Sequence, residues 1–302
     1  MVKQGAQYEH NPLVKVINNR TGDKIMAVIQ ETIPAGNLVY RKITGRKQTG
    51  PKKKRAKKSQ PTTEEVEKNN QRYAERDLLL KINYNLEVDD WHLVFTYRGV
   101  EPTQDEAYEF LKEFKRNLLT LYRKHGVILK WIEATEYEDE RIHHHFFISK
   151  GIDLIEIKNT WGRGKMLAVP LYEEGNYRKL AAYMIKETSK TIKSDNPFSA
   201  KRFRCSRTIK NPPVFREEVK VSKLIEDPKP IKGYYIDQES IYKGVNPETE
   251  RQYIEFIMLP IEGEQQAKKI NGRKVKYKKD SADWWLKKYK DKQIEIDIES
   301  LV

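Results

Sequence analysis

The order of strand-like and helix-like segments between Trp91 and Lys190 constrains the fold of this chain more than any other feature. Strand patterns are rich in β-branched and aromatic residues, whereas helix patterns repeat their apolar residues every three or four positions. The segments, in order, are strand 91–97, helix 103–125, strand 127–137, strand 141–149, helix 153–159, strand 166–172 and helix 175–190. This β-α-β-β-α-β-α order predicts an α+β fold, a ferredoxin-like (split βαβ) antiparallel sheet with helices on one face.

The two ends of the chain lie outside this pattern. We predict an N-terminal accessory region at 1–75, a central domain at 76–213 and a C-terminal accessory region with a basic tail at 214–302. Apolar runs on either side of Pro34-Ala35-Gly36 indicate a small β element near the N-terminus. Residues 41–58 hold ten lysines and arginines and no acid, which predicts a mobile basic linker. That segment is either a solvated connector or a nonspecific phosphate-binding arm.

Charge and cysteine content limit the class of partner. The formal net charge of +14 over 302 residues favours a polyanionic partner, of which nucleic acid is the commonest. The single cysteine, Cys205, excludes an internal disulfide and a cysteine-rich zinc site. No apolar run of 18 residues and no secretory leader is evident, so we expect an intracellular protein with no membrane partner.

A run of three histidines, half of the six in the chain, lies within the predicted strand 141–149. Side chains alternate along a strand, so His143 and His145 face one side while His144 faces the other as a packing residue. The third ligand of a metal ion should come from the adjacent strand, where Glu133 and Glu136 have opposite parity. Glu136 is preferred because it lies nearer the hairpin turn. Two imidazoles and a carboxylate suit Mn²⁺, Mg²⁺ or Zn²⁺.

The last helix of the pattern carries a candidate nucleophile. Tyr183 shares a basic face with Lys186, Lys179 and Lys190, whereas Tyr177 falls on the apolar stripe. A phenol has a pKa near 10, and neighbouring ammonium groups favour the phenolate. Lys186, one turn beyond Tyr183, is also placed to contact a phosphate under attack.

The segment that follows this helix combines aromatic and basic side chains. That composition is typical of a surface where bases stack on rings and phosphates meet cations. The alternative is that Phe198 and Phe203 pack against the protein. The candidate DNA-binding residues are Lys179, Lys190, Lys201, Arg202, Phe203, Arg204 and Arg207.

Three motifs give residues 91–213 a resemblance to the HUH endonucleases, in particular the single-tyrosine rolling-circle replication initiators of bacterial plasmids, phages and integrative elements. Leu93-Val94-Phe95-Thr96-Tyr97 is similar to the first-strand motif. Glu136 followed by His143-His144-His145 is similar to the metal-binding motif, with His144 replacing the usual hydrophobe. Tyr183-Met184-Ile185-Lys186 is similar to the nucleophile motif.

The resemblance implies the HUH endonuclease fold and a nick-and-rejoin reaction on single-stranded or cruciform DNA at a replication origin. It implies Tyr183 and Lys186 as catalytic residues and a divalent ion, Mn²⁺ or Mg²⁺, on His143, His145 and Glu136. The implied setting is the bacterial cytoplasm, with a host helicase and DNA polymerase as partners. A mobilisation relaxase or tyrosine transposase would share the chemistry. A non-catalytic nucleic-acid-binding protein is the alternative from another class.

Overall fold

The computed structural model describes residues 27–46, 64–138, 141–171, 176–192, 201–246, 251–261 and 294–296. These residues form two antiparallel six-stranded sheets and four α-helices, an α+β architecture. The predicted linker residues 47–58, the residue Phe198 and the basic tail 268–292 lie outside the described residues.

The central sheet has the predicted ferredoxin-like topology. Its elements are β3 (Trp91–Phe95), α2 (Gln104–Lys124), β4 (Trp131–Glu138), β5 (Arg141–Ile148), α3 (Leu154–Trp161), β6 (Met166–Pro170), β7 (Arg204–Cys205) and β12 (Ile294–Ile296). The core strands have the spatial order β6-β3-β5-β4, with β12 at one edge and β7 at the other. The connection from β3 through α2 to β4 leaves room for β5 between these two strands, as a split βαβ unit requires.

Local signals set the ends of the two crossover helices. Thr103 and Glu106 form the predicted capping box at the start of α2, which satisfies two otherwise unbonded backbone N–H groups. Gly126, just past its end, has the positive φ of 68° that a glycine adopts without strain. Helix α3 begins behind Asp153, whose side chain accepts a hydrogen bond from the N–H of Ile155, and ends at Gly162.

Helices cover both faces of the central sheet. The crossover helices α2 and α3 lie on one face, as predicted, and bury Leu93, Phe95 and Phe146. Helix α1 (Glu64–Asn85) and helix α4 (Arg178–Ile192) lie on the other face, over Ile132 and Phe147. The predicted one-sided layout therefore holds for the split βαβ units, and the two flanking helices add a layer beneath them.

Both ends of the chain meet in the second sheet. Its strands are β1 (Ala27–Ala35), β2 (Leu38–Arg46), β8 (Phe215–Val219), β9 (Tyr234–Ile236), β10 (Tyr242–Asn246) and β11 (Arg251–Pro260). Their spatial order is β10-β11-β2-β1-β8, and β9 also pairs with β11. One face of this sheet shares a core with α1 and α4 through Leu38, Tyr40 and Ile257.

Two of the predicted boundaries need correction. Residues 41–46 are part of β2 and pair with both β1 and β11, so the prediction of a basic linker was wrong for them. Apolar Ile43 is 3% exposed and alternates with the basic residues, which is the pattern of a half-buried strand. The boundary at 75/76 falls inside α1, a continuous 22-residue helix.

Candidate metal centre and nucleophile helix

The pairing of β4 with β5 brings the predicted ligands together. Glu136 lies directly opposite His143, and Ala134 lies opposite His145, so the carboxylate and both imidazoles share one face of the sheet. One ligand atom from each of the three residues lies within 4.8 Å of the other two. Glu136 Oε2 is 2.9 Å from His145 Nε2. The cross-strand register therefore selects Glu136, as predicted.

Glu133 lies on the opposite face of β4, away from the ligand cluster. Its Oε2 is 3.1 Å from Lys115 Nζ, and its Oε1 accepts a hydrogen bond from Thr135 Oγ1. The carboxylate is 3% exposed, so this ion pair compensates a buried charge. Glu133 is thus committed to the packing of α2 on the sheet.

His144 also faces away from the cluster and is fully buried. Its Nε2 lies 2.8 Å from Tyr97 Oη and its Nδ1 lies 2.9 Å from Thr135 Oγ1. Desolvation, with a smaller contribution from the neighbouring cationic groups, lowers the pKa of His144 to about 3. A neutral ring with both nitrogens hydrogen-bonded is what a buried position demands, which agrees with the predicted packing role.

A fourth histidine, His92 on β3, extends the cluster inward. Its Nε2 lies 3.2 Å from His145 Nδ1, and the two rings stack with centroids 5.4 Å apart. Phe147 stacks on the ring of His92 at 4.8 Å. Burial, and to a lesser degree the nearby His145, lowers the pKa of His92 well below 6.5, so the ring is neutral. The motif analysis missed this residue, although strand alternation from Val94 placed it on the ligand face.

The donor set fits a small divalent cation. Neighbouring ligands around an ion with bonds of about 2.1 Å are about 3.0–3.4 Å apart, and the closest pair here, His145 Nε2 and Glu136 Oε2, is separated by 2.9 Å. Glu136 and His145 are buried while His143 is half-buried, so the cluster opens on one side. Three protein ligands with an accessible side leave coordination positions for water or substrate oxygens.

Helix α4 lies over the same face of the sheet as the ligand cluster. Leu180, Ala181 and Met184 share a core with Ala134, the residue two positions before Glu136 on β4. The predicted stripes of this helix are confirmed: Tyr177 is 7% exposed, whereas Tyr183 is 49% exposed. Lys186 is also exposed. The phenol and the ammonium therefore leave the helix on its solvent side.

Comparison with known proteins identifies this region. Residues 90–192, which contain β3 through α4, match a family model for the replication-associated protein ORF2, a family of rolling-circle replication initiators of the HUH endonuclease type. The predicted resemblance to HUH endonucleases is confirmed. No curated protein and no solved structure gave a significant match.

The HUH-like segment carries Lys179, partly exposed on α4, and Lys190, whose side chain is outside the described part of the chain. The predicted DNA-binding residues beyond the segment divide into two groups. Lys201 and Arg207 are exposed, and the guanidinium of Arg204 lies 5.2 Å from the ring centroid of Tyr108.

Arg202 and Phe203 are engaged within the protein. Arg202 donates to Ser189 Oγ on α4 and forms an ion pair with Glu67 on α1. Phe203 packs against the core beneath α4. Among the described residues, no helix combines the length and apolar character needed to cross a membrane.

Proposed function

We propose that this protein is a rolling-circle replication initiator that nicks and rejoins single-stranded DNA through Tyr183. The observation that carries the proposal is the three-residue ligand cluster on the face of the sheet that α4 covers, within a segment matching replication initiators. A metal-ligand cluster alone would fit many hydrolases. The exposed tyrosine on the helix above it narrows the chemistry to covalent strand transfer.

Glu136, His143 and His145 would hold the divalent ion, Mn²⁺ or Mg²⁺. When bound, such an ion polarises a phosphodiester and stabilises the charge that develops on its oxygens. The half-buried His143 lies on the open side of the cluster, where a DNA phosphate can approach. The buried pair Glu136 and His145 keeps its mutual geometry through packing.

Tyr183 supplies the nucleophile. Its phenolic oxygen bonds to the scissile phosphorus, the bond from phosphorus to the 3′-oxygen breaks, and a proton passes to that oxygen. Lys179 and Lys186 lie one turn before and after Tyr183 on α4. Their charges favour the phenolate and, for Lys186, offset the charge of the phosphate under attack.

The products account for both nicking and rejoining. The 5′-phosphate stays on Tyr183 as a phosphodiester, which retains the energy of the broken bond, so a later 3′-hydroxyl can attack it and reseal the strand. The free 3′-hydroxyl would serve as a primer for a host polymerase, with a host helicase opening the duplex. Exposed Lys201 and Arg207 would contact the backbone of the single strand.

The test is a covalent-adduct assay. Single-stranded oligonucleotides that tile the replicon encoding the protein are incubated with it and Mn²⁺, then resolved on a denaturing gel. We expect a shifted protein–DNA band from at least one oligonucleotide, lost in Tyr183→Phe and retained in Tyr137→Phe, a control tyrosine on β4. Binding without an adduct on every oligonucleotide would favour a non-catalytic DNA-binding protein. The sequence of the reactive oligonucleotide then separates an initiator from a relaxase or transposase.

A further inference from the structure

His145 uses both of its ring nitrogens. Nε2 faces Glu136 Oε2 at 2.9 Å, and Nδ1 faces His92 Nε2 at 3.2 Å. Glu136, His145 and His92 are 2%, 5% and 5% exposed respectively, so water does not replace either contact. The three side chains form a buried row from β4 through β5 to β3.

The sheet register fixes this row. Val94 lies opposite His145 and His92 lies opposite Phe147, so His92 is the diagonal neighbour of His145 on the ligand face. The ring of His92 is held between Phe147 and His145, with interplanar angles of 20° and 22°. Such stacking leaves the imidazole little freedom to turn its Nε2 away from His145.

A histidine that binds a metal through Nε2 carries its proton on Nδ1, and the partner of that proton sets both tautomer and ring orientation. A carboxylate or a backbone carbonyl usually takes this place. Here the group within reach of Nδ1 is the imidazole of His92. A neutral imidazole offers one acceptor nitrogen, which is what the Nδ1–H of His145 requires.

We propose that His92 is a positioning residue of the metal centre: it accepts the Nδ1–H hydrogen bond of His145 and thereby aims Nε2 of His145 at the ion. This inference rests on the proposed metal site. It assigns to β3 a role in the site that none of the three ligand residues has, because β3 contributes no ligand of its own to the cluster that the described residues form.

The experiment measures binding of Mn²⁺ alone, without DNA, by isothermal titration calorimetry. Removing a hydrogen-bond partner of a ligand typically weakens metal affinity about 10–100-fold. We therefore expect His92→Leu to raise the Kd for Mn²⁺ by about that factor, and His92→Gln, which retains an acceptor oxygen, to restore most of the loss. Phe147→Leu disturbs the other side of the same stack without removing an acceptor, so it should change the Kd little.

Two reference variants separate the failures. If His145→Ala leaves Mn²⁺ binding intact, the metal site itself is wrong and this inference falls with it. If His145→Ala abolishes binding while His92→Leu binds like the wild type, only the role of His92 is refuted. Equal losses in His92→Leu and Phe147→Leu would also refute it, since packing would then explain both.

A spectroscopic measurement covers the case in which His92→Leu does not fold. Long-range ¹H–¹⁵N correlation spectra of the wild-type protein, with diamagnetic Zn²⁺ as the probe ion, report the tautomer of each histidine. We expect His145 to carry its proton on Nδ1. A spectrum with the proton of His145 on Nε2 would overturn the inference.

Discussion

At the scale of single residues, the side of the sheet that a side chain faces decides its role. Glu133 and Glu136 are three positions apart on β4 and lie on opposite faces. The first pairs with Lys115 under α2, whereas the second joins the ligand cluster. His144 and His145 are separated in the same way. Alternation along a strand is a local property, and the sequence was sufficient to predict this division.

The two glutamates give a crossed prediction. Glu136→Gln keeps the shape of the side chain but removes the charge that attracts a cation, so we expect at least a tenfold weaker Mn²⁺ affinity, about 1.4 kcal/mol. Glu133→Gln leaves the ammonium of Lys115 poorly compensated, at a cost of about 3 kcal/mol in unfolding free energy. Calorimetric titration and urea denaturation of both variants measure these effects. Loss of Mn²⁺ affinity in Glu133→Gln alone would contradict the assignment.

Buried neutral histidines predict the stability of the metal-free protein at low pH. Burial lowers the pKa of His144 to about 3, whereas the unfolded chain titrates near 6.5. The unfolded state therefore binds more protons below pH 6.5, so unfolding free energy falls as pH decreases from 6.5 towards 3. The slope for this residue approaches about 1.4 kcal/mol per pH unit.

Urea denaturation in the presence of EDTA, repeated between pH 7.5 and 4.5, measures that slope. His125→Gln serves as the control, because His125 is exposed at the end of α2 and should leave the slope unchanged. His144→Gln should reduce it. A slope that is the same in His144→Gln and in the wild type would show that other groups cause the acid sensitivity.

At the scale of elements, helix α4 is tied to its surroundings near both ends. Arg178, its first residue, forms ion pairs with Asp237 at 3.2 Å and Glu239 at 2.8 Å, both from the segment between β9 and β10. Near the other end, Arg202 donates to Ser189 Oγ at 3.1 Å. These contacts join the helix that carries Tyr183 to the second sheet and to α1.

We expect Arg178→Ala to slow adduct formation while leaving Mn²⁺ affinity unchanged, because α4 would lose an anchor and the cluster would not. A displacement of about 1 Å at a nucleophile can cost up to about 100-fold in rate. Single-turnover adduct kinetics measure the effect. The control is Arg216→Ala, which breaks an exposed ion pair with Glu31 on the outer strands of the second sheet. Equal rates in wild type and Arg178→Ala would show that this anchor does not position the helix.

Elements were predictable where their signals are local. The capping box of Thr103 and Glu106 marked the start of α2, and the apolar stripe through Tyr177 and Met184 oriented α4. His92 was missed because its role depends on the register between β3 and β5, which pairs residues about 50 positions apart. Register of that range is set by the assembled core and leaves no mark within either segment.

At the scale of the whole molecule, the second sheet joins the two ends of the chain. Strand β2 pairs with β11, which lies about 200 residues later in the chain. The sequence predicted a β element near residue 35 but gave no partner for it. Its basic residues between 41 and 46 resembled a linker because every second residue of a half-buried strand faces solvent. The hairpin of β1 and β2 then packs against α1.

A pair of glycines tests how much that packing contributes. Gly36 has a φ of 56°, and an added Cβ would lie 2.3 Å from the carbonyl oxygen of Asn83 on α1. Gly126 has a similar φ of 68° with open space around it. Gly126→Ala should cost about 1 kcal/mol of unfolding free energy, and Gly36→Ala about 3 kcal/mol or more. Thermal denaturation measures both; equal costs would show that the close approach to α1 is dispensable.

The most direct test of the whole account is to locate the covalent bond to DNA. The protein is incubated with Mn²⁺ and its reactive oligonucleotide, digested with a protease and a nuclease, and sequenced by tandem mass spectrometry. The account predicts a nucleotide 5′-phosphate on Tyr183, formed only when Glu136, His143 and His145 are intact. A nucleotide on Tyr177 or any other residue, or an adduct that persists without the three ligands, would contradict it.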